Sequence, residues 1–252
     1  MNNCVVFDLD ETLGYFSEFG IFWGALGAFF KRPLTQLDFN MTLDLYPEFI
    51  RPNIMEVLTF LKYKKMAKKC GRMMIYTNNQ GPKEWVMFIK SYFEWKMGGV
   101  IFDRIISAFK VNGVRVELGR TTHGKTHADF INCSKIPENA RICFIDDVFH
   151  PEMENDNVYY IRVDPYIYKL PCEILINRYL KTHSFANSAQ FISKCMERFA
   201  RFKFVQKTEA EYEDDKRETK RIKRLVRLFF NQSNTRRIKR RAFGNKTRRF
   251  NC

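Results

Sequence analysis

An α/β fold, a parallel sheet with helices on both faces, is the architecture this sequence predicts, on three observations. Short apolar runs rich in β-branched and aromatic residues recur as Cys4-Val5-Val6-Phe7, Met73-Met74-Ile75-Tyr76, Ile142-Cys143-Phe144-Ile145 and the stretch 158–163, the pattern of strands buried on both faces. Stretches with helical spacing separate them, which implies right-handed βαβ crossovers and parallel strands. Two of the runs stop at aspartates, where open α/β sheets place their ligands, outside the carboxyl ends of the strands. At 252 residues and 45% hydrophobic content the chain can bury a full core.

The first strand is expected over 4–10, within CVVFDLDETLG. Side chains alternate along a strand, so Asp8 and Asp10 would share one crevice while Leu9 packs away. Two carboxylates that close repel unless a divalent cation holds them, and oxygen ligands of this kind suit Mg²⁺. A helix is expected over about 52–69, with Pro52 near its start and Ile54, Val57, Leu58 and Leu61 at helical spacing. Strand 73–78 then reaches Thr77, and a helix follows over 82–96. A short strand near 104–109 precedes Val111-Asn112-Gly113-Val114, an Asn-Gly hairpin signal. A helix over about 125–132, a strand over 142–147 ending at Asp146 and Asp147, and a strand over 158–163 complete the domain.

The order of these motifs resembles that of the haloacid-dehalogenase superfamily of phosphotransferases. Its first motif is an apolar strand followed by D-x-D-x-T, and DLDETL at Asp8–Leu13 looks most like the branch of protein phosphatases acting on the RNA polymerase II C-terminal domain. MMIYTN ending at Thr77 matches the second motif, Lys125 within TTHGKTHADF the third, and RICFIDD ending at Asp146 and Asp147 the fourth. Arg51-Pro52 matches a similar LRP-x₃-EFL stretch of that branch, and the connection 97–124 resembles its insertion.

The resemblance implies a Mg²⁺-dependent phosphomonoester hydrolase. Asp8 would form an aspartyl phosphate, and Asp10 would act as general acid and then base. Thr77, Asn78 and Lys125 would bind the phosphate, with backbone N–H groups of Asn78 and Asn79 at a helix start. Asp8, Asp10, Asp146 and Asp147 would be the metal set, and Thr12 would fix the turn after the strand. It also implies a flap or small cap from the aromatic-rich insertion of about 15–50, whose Phe22, Trp23, Phe29 and Phe30 would wall the substrate pocket.

Departures bear on the substrate. Leu13 is followed by Gly14-Tyr15 where that branch usually carries a histidine, and TNNQG at Thr77–Gly81 is similar to the TNQ-x-G of members that remove 3′ phosphates from nucleic-acid ends. A protein phosphoserine or phosphothreonine is therefore the first expected substrate and a nucleic-acid 3′ end the second; an inactive nucleic-acid-binding scaffold is the third reading. DNA viruses of large genome encode divergent members, and the Asn/Lys-rich tail suits such a source.

Charge divides the chain. Residues 196–252 hold 19 Lys+Arg against 7 Asp+Glu, a net of +12, which leaves +3 of the total of +15 for residues 1–195. A phosphatase domain over 1–195 and a basic helical tail over 196–252 are expected, the tail carrying RETKRIKRLVRLFF, with Ile222, Leu225, Val226 and Phe229 at helical spacing, and RRIKRRAFGNKTRRF. Nucleic-acid binding, an anionic membrane surface or a nuclear address would use such a tail. None of the four motifs lies beyond Asp147, so a chain ended near 195 is expected to keep the chemistry; the alternative is a tail packed as a structural helix through Phe199, Phe202, Phe204 and Phe229, whose removal would cause aggregation and loss of activity. Seven cysteines without C-x-x-C pairing suit a reducing compartment. No stretch reaches the roughly 18 apolar residues of a membrane span, and MNNCVVFDLD has no basic n-region, so an intracellular place (cytoplasm, nucleus or viral factory) is expected.

Overall fold

The computed structural model describes residues 3–183, 187–203 and 206–231. Its frame is a five-stranded parallel sheet. β1 (Asn3–Phe7) runs through the centre, flanked by β2 (Arg72–Tyr76) and β6 (Arg141–Asp146), with β3 (Arg104–Ile106) outside β2 and β7 (Val158–Arg162) outside β6. The expected α/β class is the observed one. β4 (Lys110–Val111) and β5 (Val114–Arg115) form the Asn-Gly hairpin, with φ of 50° at Asn112 and 80° at Gly113, the positive values that a tight two-residue hairpin demands.

Alternation along the strands divides the core into two layers. Val5, Phe7, Met73, Ile75, Cys143 and Ile145 face the larger layer; Cys4, Val6, Met74, Tyr76, Ile142 and Phe144 face the smaller one. The larger is covered by α1 (Ser17–Phe30), α2 (Gln36–Asp44), α3 (Ile54–Met66), α4 (Lys83–Met97), α6 (Cys172–Thr182), α7 (Ser188–Phe199) and α8 (Glu209–Asn231), the smaller by Phe130 and Cys133 of α5 (His127–Ser134).

The insertion expected as a flap folds instead as α1 and α2 and becomes part of the larger layer. Phe22 packs on Tyr46, Tyr179 and Phe191, Trp23 on Phe39 and Phe88, and Phe29 on Phe30 and Phe191. Phe22 is core, and Trp23, Phe29 and Phe30 are half-buried against it; Trp23 and Phe30 line a small pocket with Leu34, Asp38 and Tyr179 that contains none of Asp8, Asp10, Thr77 or Lys125.

The tail also departs from expectation. The boundary at 195/196 falls inside α7, and the apolar positions of α8 are docked: Ile222, Val226 and Phe229 are buried against the body, where α8 meets α3 and β7. RRIKRRAFGNKTRRF and Phe204 lie outside the described residues. Among the described residues no helix is long and apolar enough to cross a membrane, and Cys4, Cys70, Cys133, Cys143, Cys172 and Cys195 are free thiols.

Glu18 in α1 is only 4% exposed; its Oε2 accepts from Leu170 N at 2.9 Å. Burial pushes its carboxyl up to about 7, with the Leu170 N–H and Lys169 opposing. Because the folded value lies above the unfolded one, this group costs nothing below the unfolded pKa of about 4.3, and its penalty grows as pH rises to 7 and above. Glu18→Gln keeps an oxygen acceptor and removes the buried charge, so at pH 8 it should stabilise by on the order of 2 to 3 kcal/mol. Thermal melts should show a several-degree gain at pH 8 and none near pH 4.5. A gain equal at both pH values would refute the buried-charge account.

Candidate active site

Each expected site residue leaves the sheet at its carboxyl end. β1 stops at Phe7, three residues sooner than expected, and the chain then coils: Asp8 N still donates to Ile145 O at 2.9 Å, Leu13 N reaches back to Leu9 O at 2.9 Å, and Glu11 takes a φ of 61°. Strand alternation therefore does not govern Asp10. Gly14 closes the coil so tightly against the Phe49 carbonyl oxygen that a Cβ would collide with it, which accounts for glycine there.

Asp8, Asp146 and Asp147 gather with one carboxylate oxygen each within 4.8 Å of one another. Lys125, 2% exposed, donates from Nζ to Asp8 Oδ1 and, at 2.7 Å, to Asp146 Oδ2. Val148 N occupies Asp146 Oδ1 at 2.9 Å, and the buried Thr12 hydroxyl donates to Asp147 Oδ1 at 3.0 Å. Asp8 Oδ2 and Asp147 Oδ2 make no hydrogen bond among the described residues. Three hard oxygen donors facing one ammonium leave an excess of negative charge, so the cluster could bind a metal ion. The carboxylate of Asp10, expected in the metal set, is not in this cluster; Asn79 Nδ2 donates to its Oδ2 at 2.7 Å.

Burial raises three of the carboxyls. Burial pushes Asp8 up to about 7 against the pull of Lys125, and burial pushes Asp10 up to about 6 against the Asn79 hydrogen bond. Asp146 is also raised by burial, with Lys125 opposing. Desolvation alone would lower Lys125, but Asp8 and Asp146 outweigh it and hold the ammonium above its ordinary value. His150 Nε2 stands 3.6 Å from Asp146 Oδ2, and burial, with Lys125 and Arg120 adding, brings it down to about 4, so it is a neutral neighbour.

Thr77 is buried directly after β2, its Oγ1 accepting from Asn79 N at 3.0 Å. The expected helix start at Asn78 is absent, because α4 begins at Lys83 after a Pro82 cap. The Asn79 N–H is thus engaged, and only the Asn78 N–H of that pair is without a described partner.

Two arginines that sequence reasoning gave no role hold these loops. Arg51, 1% exposed, donates from Nε to Thr12 O at 2.6 Å and from NH2 to Glu11 O at 2.6 Å and Asp164 O at 2.7 Å. Arg120, fully buried over Tyr76, donates to the carbonyls of Thr77, Ser107, His123 and Gly124. It ties the Thr77 loop to the loop that delivers Lys125. Nothing in local pattern marks an arginine for burial; the Arg51-Pro52 dipeptide was the one signal in the chain.

No protein-family model, curated protein or solved structure matches the chain.

Proposed function

We propose that the chain is a phosphomonoester hydrolase of the haloacid-dehalogenase type, working through an aspartyl phosphate on Asp8. The observation that carries this reading is the convergence, from four distant segments, of Asp8, the Lys125 ammonium bonded to both Asp8 and Asp146, the Thr77 hydroxyl, and an Asp10 whose carboxylate accepts from Asn79. Asp8 is the nucleophile: its carboxylate forms a bond to phosphorus as the ester oxygen leaves with a proton from Asp10. Asp10 then takes a proton from water, which attacks phosphorus, releases inorganic phosphate and restores Asp8. A carboxyl pushed to about 6 suits both proton steps near neutrality. Lys125, Thr77 and the Asn78 N–H offset charge on the phosphate oxygens. Asp8, Asp146 and Asp147 would hold a hard divalent cation, Mg²⁺ in this reading, which would supply further charge neutralisation.

Phosphoserine or phosphothreonine in a protein is the first substrate class. The role of Asn79, inside TNNQG, favours a nucleic-acid 3′ phosphate as the second. Phosphate release should be measured from a phosphoserine peptide, a 3′-phosphorylated oligonucleotide and an aryl phosphate, with EDTA and then with excess Mg²⁺. EDTA should silence turnover and Mg²⁺ restore it. Turnover that survives EDTA would defeat the cation assignment, and none from any of the three would leave an inactive scaffold.

A further inference from the structure

Helix α8 runs alongside α3, from the Lys223–Glu56 ion pair to the contact of Phe230 with Phe60 and Lys64, and we propose that the basic residues of the two helices form a docking surface for the phosphate backbone of a nucleic acid that extends to the end of the sheet opposite the acidic pocket. Residues 62–69 carry Lys62, Lys64, Lys65, Lys68 and Lys69 with no acid, and residues 219–231 carry Lys220, Arg221, Lys223, Arg224 and Arg227 with none either. The two sets meet on one ring: Lys64 Nζ lies 5.1 Å from the Phe60 ring centre and the Arg227 guanidinium 5.6 Å from it. Lys220, Arg224 and Arg227 are exposed, fall on one stripe of α8, and make no ion pair with a described carboxylate.

The position follows from the connections. α3 ends just before β2 begins, and the carbonyl of Phe229 near the end of α8 accepts from Arg141 NH2, at the start of β6, at 3.0 Å. The α3 lysines and the end of α8 therefore sit at the amino ends of the strands, about 20 Å from the carboxylates by the 1.5 Å rise of a 13-residue helix, while Arg221, at the other end of the α8 run, donates from NH2 to Arg162 O at the carboxyl end of β7. Phosphates bound there are not the ones that meet Asp8; the surface is a tether.

Helix α8 alone, read as basic and amphipathic, fits a membrane surface as well as a nucleic acid. A helix lying on lipid must put its apolar face into the bilayer boundary, whereas Ile222, Val226 and Phe229 are already buried in this protein. What remains outside is mainly cationic, Leu228 of α8 and Met66 of α3 being the exposed apolar side chains, with Tyr63 at 65% exposed among the α3 lysines as a face for base stacking. The chain beyond Asn231 adds eight Lys+Arg and no acid.

The test is fluorescence anisotropy of the full chain with a labelled single-stranded oligonucleotide over a salt series, against the variant Lys64→Gln/Lys220→Gln/Arg224→Gln/Arg227→Gln. The native chain should bind with an affinity that falls steeply with salt. The variant should bind about tenfold or more weakly, with a slope flatter by roughly 0.7 for each phosphate it no longer neutralises, and an unchanged melting temperature. Equal affinity and slope in the two proteins would overturn the proposal, as would tighter binding to phosphatidylserine vesicles than to the oligonucleotide. Binding is read without turnover, so the result stands apart from the phosphatase reading.

Discussion

Asp8→Asn is expected to lower turnover of a small aryl phosphate by roughly 10⁴- to 10⁶-fold, the scale of losing a catalytic nucleophile. An amide oxygen has neither the charge nor the basicity to displace the ester oxygen at phosphorus. The fold should survive the change, because the amide matches the carboxylate in shape, keeps an acceptor for Lys125, and relieves a carboxyl that burial has pushed up to about 7. Kinetics and thermal melts on one preparation settle the matter. Substantial turnover with an unchanged melting temperature would eliminate Asp8 as nucleophile; lost turnover with a collapsed melting temperature would show a structural role instead.

Truncation before α8, after Lys207, is expected to destroy the protein rather than trim it. Ile222 and Val226 are fully buried and Phe229 is 1% exposed, in the same core as Val57, Leu58 and Leu61 of α3. Losing each such side chain costs about 2 to 5 kcal/mol, so the three together approach the roughly 5 to 15 kcal/mol that holds a typical domain folded. The helix is also tied to the carboxyl end of the sheet: Glu218 Oε1 accepts from Asp164 N at 3.1 Å, and Arg51 reaches the Asp164 carbonyl at 2.7 Å. The shortened chain should aggregate or melt far below the full one and lose aryl phosphate turnover with it. A soluble, active product with an unchanged melting temperature would mean that α8 is an appendage after all.

That outcome reverses what charge counting suggests, and the reason is instructive. The surplus of Lys and Arg past residue 195 is visible in sequence, but a basic amphipathic stripe reads the same whether its apolar side meets solvent, lipid or a partner helix. Only the tertiary structure shows α3 as that partner. The starts of the strands, by contrast, were readable within one residue, because runs such as Val5-Val6-Phe7 and Ile142–Ile145 are short, apolar and rich in β-branched and aromatic residues. Asp8, Thr77, Lys125 and Asp146 were readable as a set through their order along the chain. Asp10 was expected in the metal set because alternation was carried three residues beyond the end of β1 into a coil governed by Glu11 and Gly14. Asn79, Arg51 and Arg120 act through bonds across 69, 40 and 43 residues of sequence, and no local pattern records such distances.

The place of β1 bears on how the molecule is made. It precedes the other four strands of the sheet in sequence and is the middle one, yet its neighbours β2 and β6 begin only at Arg72 and Arg141. At about 5 to 20 residues per second, Cys4-Val5-Val6-Phe7 waits roughly 7 to 30 seconds on the ribosome before both of its edges can be paired. Parallel pairings over such separations close slowly, so the nascent chain passes through a long interval in which the strand that leads into Asp8 is an open, apolar edge.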